Sequence, residues 1–259
     1  MFSTKDKPVY VPSRQYLVYR ENLKPLSVPM GFQMEEGTTE ITALDDFIEY
    51  RKSLKLYYKL KNAGLNTKTM QTYEISDYVG TKSLGNIKRL EKFIEVFPEV
   101  KDTVLYFYGG NATQKTTVAS WIGKKLLENQ HSVKFILMNT LLTKLTAFTD
   151  DEIKQANIDD YKSCDWLIID EAFDKEKTTI YKSGYQIPFL DSFLRERLSS
   201  GKGILFVSNI PYTQIEEQGF SHSLMSLIER NVLAMDSFFE WKDNAFETLH
   251  GFDARRGLF

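Results

Sequence analysis

The sequence has very little cysteine or histidine, and it lacks a long apolar run. Among its 259 residues are one cysteine and three histidines. A single cysteine excludes an intramolecular disulfide and makes a thiolate metal centre implausible. No apolar stretch approaches the roughly 20 residues that a membrane-spanning helix needs. The polar N-terminus also lacks the apolar segment of a signal peptide, so we expect a cytoplasmic protein with no membrane partner.

An excess of positive charge is also missing. The chain has 33 lysines and arginines against 35 aspartates and glutamates, which gives a formal net charge of −2. Any nucleic-acid site must therefore be a local basic patch. Hydrophobic residues make up 42% of the chain and charged residues 26%, as is usual for globular proteins. The length suits one large domain, or a core with a smaller module.

One stretch, residues 102–120, organises the rest of the chain. It begins with an apolar run of β-prone residues, turns at Gly109 and Gly110, and continues as a helical pattern from Lys115. A strand, a glycine-containing loop, Lys-Thr and a helix follow one another in this order in a phosphate-binding P-loop. Loop N–H groups and a helix N-terminus face the anion, the lysine adds positive charge, and the hydroxyl of Thr116 can ligate Mg²⁺.

This stretch predicts a site for ATP and Mg²⁺. The candidate nucleotide-binding residues are Gly109, Gly110, Asn111, Ala112, Thr113, Gln114, Lys115, Thr116 and Thr117. One residue departs from the usual pattern, because Gln114 stands where a P-loop has glycine. A Cβ atom there conflicts with a positive φ or with close approach to a phosphate. The alternative is a strand, turn and helix with a surface lysine.

Apolar runs and amphipathic stretches alternate along the chain. We predict helices at 38–62 (capped by Thr39), 83–97, 115–130, 140–148, 187–198 and 221–229, and strands at 104–108, 132–138, 165–170, 203–208 and 232–241. Such alternation implies an α/β fold with a largely parallel sheet and helices on both faces. Ligands of these sheets bind at the carboxyl ends of the strands, where the P-loop, Asp170 and Asn209 are all expected.

Four further residues complete the predicted metal-binding and catalytic set. Asp170 ends an apolar strand and can hold Mg²⁺, and Glu171 can orient or deprotonate an attacking water. Asn209 follows the strand expected between the P-loop and acidic strands, and it can hydrogen-bond the terminal phosphate or the water. Arg230, expected at the end of its helix, can enter a neighbouring subunit's site. The alternatives are a solvated acidic turn, a turn-forming asparagine and a surface arginine.

Taken together, these motifs resemble the AAA+ ATPases of the DnaC/DnaI helicase-loader and IstB-like group. The motifs are, in order, Gly109 with Lys115-Thr116, Ile168-Ile169-Asp170-Glu171, Val207-Ser208-Asn209-Ile210-Pro211 and Leu227-Ile228-Glu229-Arg230. The resemblance covers roughly residues 62–245. It implies an AAA+ core at 62–259 with a mostly parallel five-stranded sheet. Because the chain ends soon after the last predicted strand, the resemblance also implies that no C-terminal lid domain is present.

The same resemblance implies roles and partners. Asp170 and Thr116 would be the metal ligands, Glu171 the water residue, Asn209 the sensor, and Arg230 the finger that acts in trans on self-association. A small N-terminal module, residues 1–61, would hold a replicative helicase. Single-stranded DNA would be bound through the core. Two basic stretches are further DNA candidates, with solvated faces as the alternative: Arg51, Lys52, Lys55, Lys59 and Lys61 around Tyr57 and Tyr58, and Arg195, Arg197 and Lys202.

The expected function is therefore that of an oligomeric, ATP-hydrolysing replication protein, which loads or recruits a replicative helicase onto single-stranded DNA. Two alternatives stay open. One is a transposition-helper ATPase of the IstB type, whose partner is a transposase. The other is a non-hydrolysing AAA+ adaptor with a degenerate P-loop, which the presence of Gln114 favours.

Overall fold

The structure is a computed structural model. The chain divides into two compact units, Met1–Lys61 and Asn62–Phe259. The structure describes the strands at 18–20, 24–26, 32–34 and 41–43 and the residues 45–96, 103–146, 158–177 and 185–245. The expectation of a missing lid concerns residues 246–259, which lie outside the described residues. No helix in the described part of the chain is both long and apolar enough to cross a membrane.

The N-terminal unit contains two short antiparallel strand pairs and most of one helix. Its elements are β1 (Val18–Arg20), β2 (Lys24–Leu26), β3 (Phe32–Met34), β4 (Ile41–Ala43) and α1 (Asp45–Asn62). The prediction of one helix at 38–62 was wrong at its start. Ile41 matches the apolar spacing of the helix, but it pairs with Met34 across a β-ladder. Cross-strand pairing has overridden the local helical pattern here. The expected cap, Thr39, lies outside the described residues.

The second unit begins with two short helical elements and continues with alternating strands and helices. These are α2 (Lys68–Thr72), a 3₁₀ turn (Ile75–Asp77), α3 (Leu84–Val96), β5 (Val104–Tyr108), α4 (Lys115–Glu128), β6 (Val133–Leu137), α5 (Met138–Thr146), β7 (Trp166–Asp170), α6 (Gln186–Ser199), β8 (Gly203–Ser208), α7 (His222–Ala234) and β9 (Phe238–Glu240). Five strands form one sheet in the order β6-β7-β8-β5-β9, and all neighbouring pairs are parallel. The predicted α/β fold class is confirmed.

The sheet is covered on both faces, as a parallel sheet requires. Every residue of β7 and β8 is buried. Successive residues of β5 serve opposite faces. The ring of Tyr106 belongs to the main core and packs near Phe206, whereas the ring of Phe107 contacts those of Phe239 and Trp241. This burial fixes the strands whose ends carry the predicted site.

The outer edge of β9 is capped by side chains of α3. Arg89 donates to the carbonyl of Phe238 at 3.3 Å, and Asn86 donates to that of Glu240 at 2.6 Å. Capping an edge strand in this way satisfies carbonyls that could otherwise pair with another chain. The sheet is therefore closed to strand addition at these two positions.

Helix α7 is longer than the sequence predicted. We expected it to end at 229 and a strand to follow at 232–241, but the helix runs to Ala234. Val232 continues the apolar spacing from Ile228, and both side chains are buried in the core. Packing on this helical face outweighs the β propensity of valine. The strand is therefore limited to the three residues of β9.

Candidate functional site

A cavity of about 210 Å³ lies at the carboxyl ends of the central strands β5, β7 and β8. Its lining consists of Asn111, Ala112, Thr113, Gln114, Lys115, Thr116, Thr117, Asp170, Glu171, Lys177, Val207, Ser208 and Asn209. The structure thus places most of the predicted nucleotide, metal and catalytic residues around one cavity. The exceptions are Gly109, Gly110 and Arg230.

Gly109 sets the direction of the loop that follows β5. Its φ is +152°, and a Cβ atom on it would lie 2.2 Å from the carbonyl oxygen of Trp241. No other residue fits without moving the backbone of the neighbouring segment. Gly109 and Gly110 do not line the cavity, but their carbonyls receive hydrogen bonds from Lys115. Their contribution is to shape the loop around that lysine.

Lys115 begins α4, and its side chain is buried beneath the loop. Its Nζ donates to the carbonyls of Gly109 at 2.7 Å and Gly110 at 2.6 Å, and to the hydroxyl of Thr113 at 3.0 Å. Burial lowers the pKa of Lys115 to about 8. The negative charge of Asp170 acts to raise this pKa, and the positive charge of Lys177 acts to lower it further. A cation held with neutral oxygens in a poorly solvated loop is well suited to an anionic ligand.

Gln114 is accommodated in a left-handed conformation, with φ at 66°. Its side-chain amide pairs with the backbone of Val79. Oε1 accepts from the Val79 N–H at 3.1 Å, and Nε2 donates to the Val79 carbonyl at 2.6 Å. These two hydrogen bonds offset the conformational cost of a non-glycine residue in this region. The departure from the usual glycine therefore has a structural role, which sequence inspection missed.

Thr116 and Asp170 meet at the cavity from α4 and β7. The hydroxyl of Thr116 donates to Oδ2 of Asp170 at 3.0 Å, and Oδ1 accepts from the N–H of Glu171 at 2.8 Å. Burial raises the pKa of Asp170, although these two hydrogen bonds act against the shift. A buried carboxylate beside a hydroxyl supplies the hard oxygen ligands that Mg²⁺ prefers. The described residues contain no group of three or more His, Cys, Asp or Glu that could hold a metal ion, so phosphate or water oxygens would have to complete its shell.

The two other candidate catalytic groups are held by a turn that the sequence did not single out. Lys177 Nζ lies 3.0 Å from Oε1 of Glu171, and Asn209 Nδ2 donates to Oδ2 of Asp174 at 3.1 Å. Asn209 follows β8, between β5 and β7, as predicted. Neither Asp174 nor Lys177 belongs to a recognisable motif, and only the folded chain shows that they are part of the site.

A segment from the far end of the chain supports the loop. The N–H of Ala245 donates to the carbonyl of Ala112 at 3.0 Å. Nearby, Asp243 is buried and accepts four hydrogen bonds, from the hydroxyl of Tyr78 and the N–H groups of Thr81, Lys82 and Ser83. Residues more than a hundred positions away in sequence thus hold both the P-loop and the start of α3.

Arg230 is exposed on α7 and does not line the cavity. The prediction that it ends its helix was wrong, because four more residues follow it in α7. The role of Arg230 in the site of a second subunit stays a prediction.

The second basic patch predicted for DNA is not a free basic surface. Arg197 is 1% exposed and donates to the carbonyls of Tyr161, Lys162 and Gly203. Lys202 pairs with Asp165 at 2.9 Å, and Arg195 pairs with Asp191 at 3.1 Å. These residues hold secondary structure together. In the first patch, Tyr57 is buried, which leaves Tyr58 as the exposed ring of the pair.

Comparison with known proteins supports the fold. No protein-family model and no curated protein matches the sequence. Several solved structures are similar in fold. A DNA replication initiation factor has 14% sequence identity and a TM-score of 0.56, and the match covers 70% of this chain and 53% of the other. DnaI has 17% identity and a TM-score of 0.55, with 68% of this chain and 94% of DnaI covered. The replication initiator DnaA bound to AMPPCP and single-stranded DNA has 16% identity and a TM-score of 0.54, with 70% of this chain and 55% of DnaA covered. This chain spans about half the length of the initiation factor. The predicted fold, a mostly parallel five-stranded sheet flanked by helices, is confirmed, because these structures share it with this chain.

Proposed function

We propose that this protein binds and hydrolyses ATP and acts in DNA replication, where it loads or recruits a replicative helicase onto single-stranded DNA. One observation carries the proposal. The cavity unites a buried P-loop lysine, a hydroxyl-carboxylate pair, and a second carboxylate and an amide on adjacent strand ends. These are the side chains that a phosphoryl-transfer site uses to hold phosphates, a metal ion and the attacking water, whereas the proposed finger, Arg230, lies outside the cavity.

The residues divide the work by their chemistry. The loop N–H groups and Lys115 would hold the phosphates, and Thr116 with Asp170 would hold Mg²⁺. The metal would neutralise charge on the phosphates when bound. Glu171 would orient the attacking water and take its proton, and Asn209 would hydrogen-bond the terminal phosphate or that water. Arg230 of a second subunit would stabilise charge that develops in the transition state.

The place in replication is proposed from the proteins whose structures are similar. They include DnaI, a replication initiation factor, and DnaA with both AMPPCP and single-stranded DNA bound. We propose that the core of this protein contacts single-stranded DNA, and that the unit at residues 1–61 holds the helicase. Within the unit at residues 1–61, the exposed Lys52 and Lys55 of α1 are additional candidates for contacts with DNA phosphates.

A non-hydrolysing adaptor is the second candidate. It was suggested by Gln114, but the pairing of this residue with Val79 shows that a glutamine fits the loop. The lysine, threonine and two carboxylates that hydrolysis needs are also assembled around one cavity. We therefore favour the hydrolysing protein.

The test is a loading assay on circular single-stranded DNA with the replicative helicase of the same genome. We expect the protein and ATP to increase the amount of helicase that stays on the circles. Lys115→Ala should abolish this effect. The Glu171→Gln variant should still load the helicase, but it should stay bound to the loaded helicase because it does not hydrolyse ATP. Loading that is independent of ATP and unaffected by Lys115→Ala would contradict the proposal.

A further inference from the structure

Lys177 is a second lysine at the cavity, and its situation differs from that of Lys115. Its Nζ lies 3.0 Å from Oε1 of Glu171, and the two side chains are 34% and 37% exposed. Glu171 is the carboxylate that the proposed hydrolysis assigns to the attacking water. In this structure that carboxylate is therefore paired with a cation that also faces the phosphate site.

Lys177 is carried by a short turn that starts at Asp174. The N–H of Lys177 donates to the carbonyl of Asp174 at 3.1 Å, and the N–H of Glu176 donates to its Oδ1 at 2.9 Å. The other carboxylate oxygen of Asp174 accepts the hydrogen bond from Asn209. One turn thus contacts both groups that are expected to act at the terminal phosphate.

The residues that precede this turn are buried in the core. Phe173 is fully buried against the rings of Tyr106, Phe206 and Phe220, although its φ of 63° is unfavourable for a bulky residue. The N–H of Ala172 donates to the carbonyl of Val207 at 2.8 Å. The residues of the turn itself, 174–177, are exposed or half-buried. Backbone strain of this kind is concentrated at functional sites.

The pairing of Lys177 with Glu171 can be exchanged at little cost. An ion pair between partly exposed side chains contributes little stability, because water and salt screen it. A terminal phosphate carries more negative charge than one carboxylate, and its hydrogen bonds to ammonium groups are strong. Lys115 is committed to three oxygens of its own loop. Within the described residues, Glu171 is the hydrogen-bonding partner that the Lys177 ammonium has.

We propose that Lys177 binds the terminal phosphate of a nucleoside triphosphate, and that it exchanges Glu171 for this phosphate. The exchange frees the Glu171 carboxylate for the attacking water only when a third phosphate is present. A diphosphate does not reach Lys177, so Lys177 stays paired with Glu171. This inference rests on the proposed nucleotide function and adds a residue that distinguishes triphosphate from diphosphate.

The test compares affinities for AMPPCP and ADP, both with Mg²⁺, in the full chain. We expect Lys177→Met to weaken AMPPCP binding about tenfold, the scale of one charge-assisted hydrogen bond, and to change ADP binding less than about twofold. Lys177→Arg should restore most of the loss. Glu171→Gln should strengthen AMPPCP binding, because the competing carboxylate is gone. Lys175→Met removes an exposed lysine from the same turn and should change neither affinity.

Equal losses for AMPPCP and ADP would overturn the inference, since Lys177 would then support the loop without contacting the third phosphate. Unchanged AMPPCP binding in Lys177→Met would overturn it as well. Retained ADP binding shows that the variant is folded. If the wild-type chain binds neither nucleotide, the proposed function itself is overturned. If the wild-type chain and Lys177→Met bind both nucleotides with equal affinity, only the inference about Lys177 is overturned.

Discussion

The side-chain amide of Gln114 pairs with both backbone polar groups of Val79, at 3.1 Å and 2.6 Å. This pairing links the P-loop to the segment that precedes α3, 35 residues earlier. An amide can do this because it offers one acceptor and two donors on the same planar group. The residue that departs from the P-loop pattern is thus one of those that hold the loop to the rest of the unit.

Replacing Gln114 by glutamate should damage the loop in two ways. A carboxylate accepts from the Val79 N–H but cannot donate to its carbonyl, and it places negative charge beside the phosphate site. We expect the free energy of unfolding to fall by about 1–2 kcal/mol and ATP affinity to fall more than tenfold. Denaturant unfolding and equilibrium ATP binding measure the two effects.

Two control variants sharpen this prediction. Gln114→Gly keeps the left-handed conformation and should retain ATP binding. Gln130→Glu makes the same change at another glutamine with positive φ, away from the cavity, and should leave ATP affinity unchanged. Wild-type ATP affinity in Gln114→Glu would contradict the role given to this residue.

The Thr116 hydroxyl should make nucleotide binding depend on Mg²⁺. We expect Mg²⁺ to increase ATP affinity less in Thr116→Val than in the wild type, because only Asp170 of the two proposed metal ligands then still supplies an oxygen. Thr116→Ser keeps the hydroxyl and should keep the Mg²⁺ effect. The measurement is ATP affinity in Mg²⁺ and in EDTA. A Mg²⁺ effect of unchanged size in Thr116→Val would show that the metal is held elsewhere.

Asp243 should be important for stability. Asparagine in its place would set an NH₂ group against N–H and O–H donors, so Asp243→Asn should lower the free energy of unfolding by about 2–3 kcal/mol at pH 7. Asp236→Asn is a suitable control, because that side chain is 92% exposed. We expect the control to change stability by less than about 0.5 kcal/mol.

The contribution of Asp243 should also depend on pH. Burial acts to raise its pKa, but the hydrogen bonds from Lys82, Tyr78, Ser83 and Thr81 together lower it. A carboxyl whose pKa is lowered on folding stabilises the protein above its ordinary value of about 3.9, and the contribution is lost as the pH falls through the lower native value. The stability gap between wild type and Asp243→Asn should therefore be constant from pH 7 to 5 and shrink below about pH 4. A gap that widens in acid would contradict this assignment.

Arg230 should act on a neighbouring subunit's nucleotide. We expect Arg230→Ala to bind ATP normally and to hydrolyse it at least tenfold more slowly. Mixing Arg230→Ala with Lys115→Ala should restore part of the activity, since some sites then combine an intact P-loop with an intact arginine. Normal turnover in Arg230→Ala, or a mixture no more active than its components, would remove the role in trans.

The sequence predicted the central strands well because their patterns are unambiguous. The bounds of β5 and β8 match those expected, since each is a continuous apolar run that ends at a turn or polar residue. Asp170 and Asn209 follow such runs, and parallel strands bring their carboxyl ends to one edge. The candidate site could therefore be assembled in outline before the fold was known.

What the sequence did not reveal depends on contacts between distant residues. Ile41 carries the spacing of a helix but pairs as a strand, and Val232 carries the propensity of a strand but packs as a helix. Arg197 looks like part of a basic surface, yet its guanidinium binds backbone carbonyls in the interior. In each case tertiary packing decided between local preferences of similar strength.

The most direct test of the account is steady-state ATP hydrolysis by the purified chain, with Mg²⁺ and with or without single-stranded DNA. We predict Mg²⁺-dependent release of phosphate that DNA changes. Lys115→Ala should lose ATP binding, and Glu171→Gln should bind ATP but hydrolyse it about a hundredfold more slowly. Absence of hydrolysis under all these conditions, or undiminished hydrolysis in Glu171→Gln, would contradict the claim that this cavity is an ATPase site.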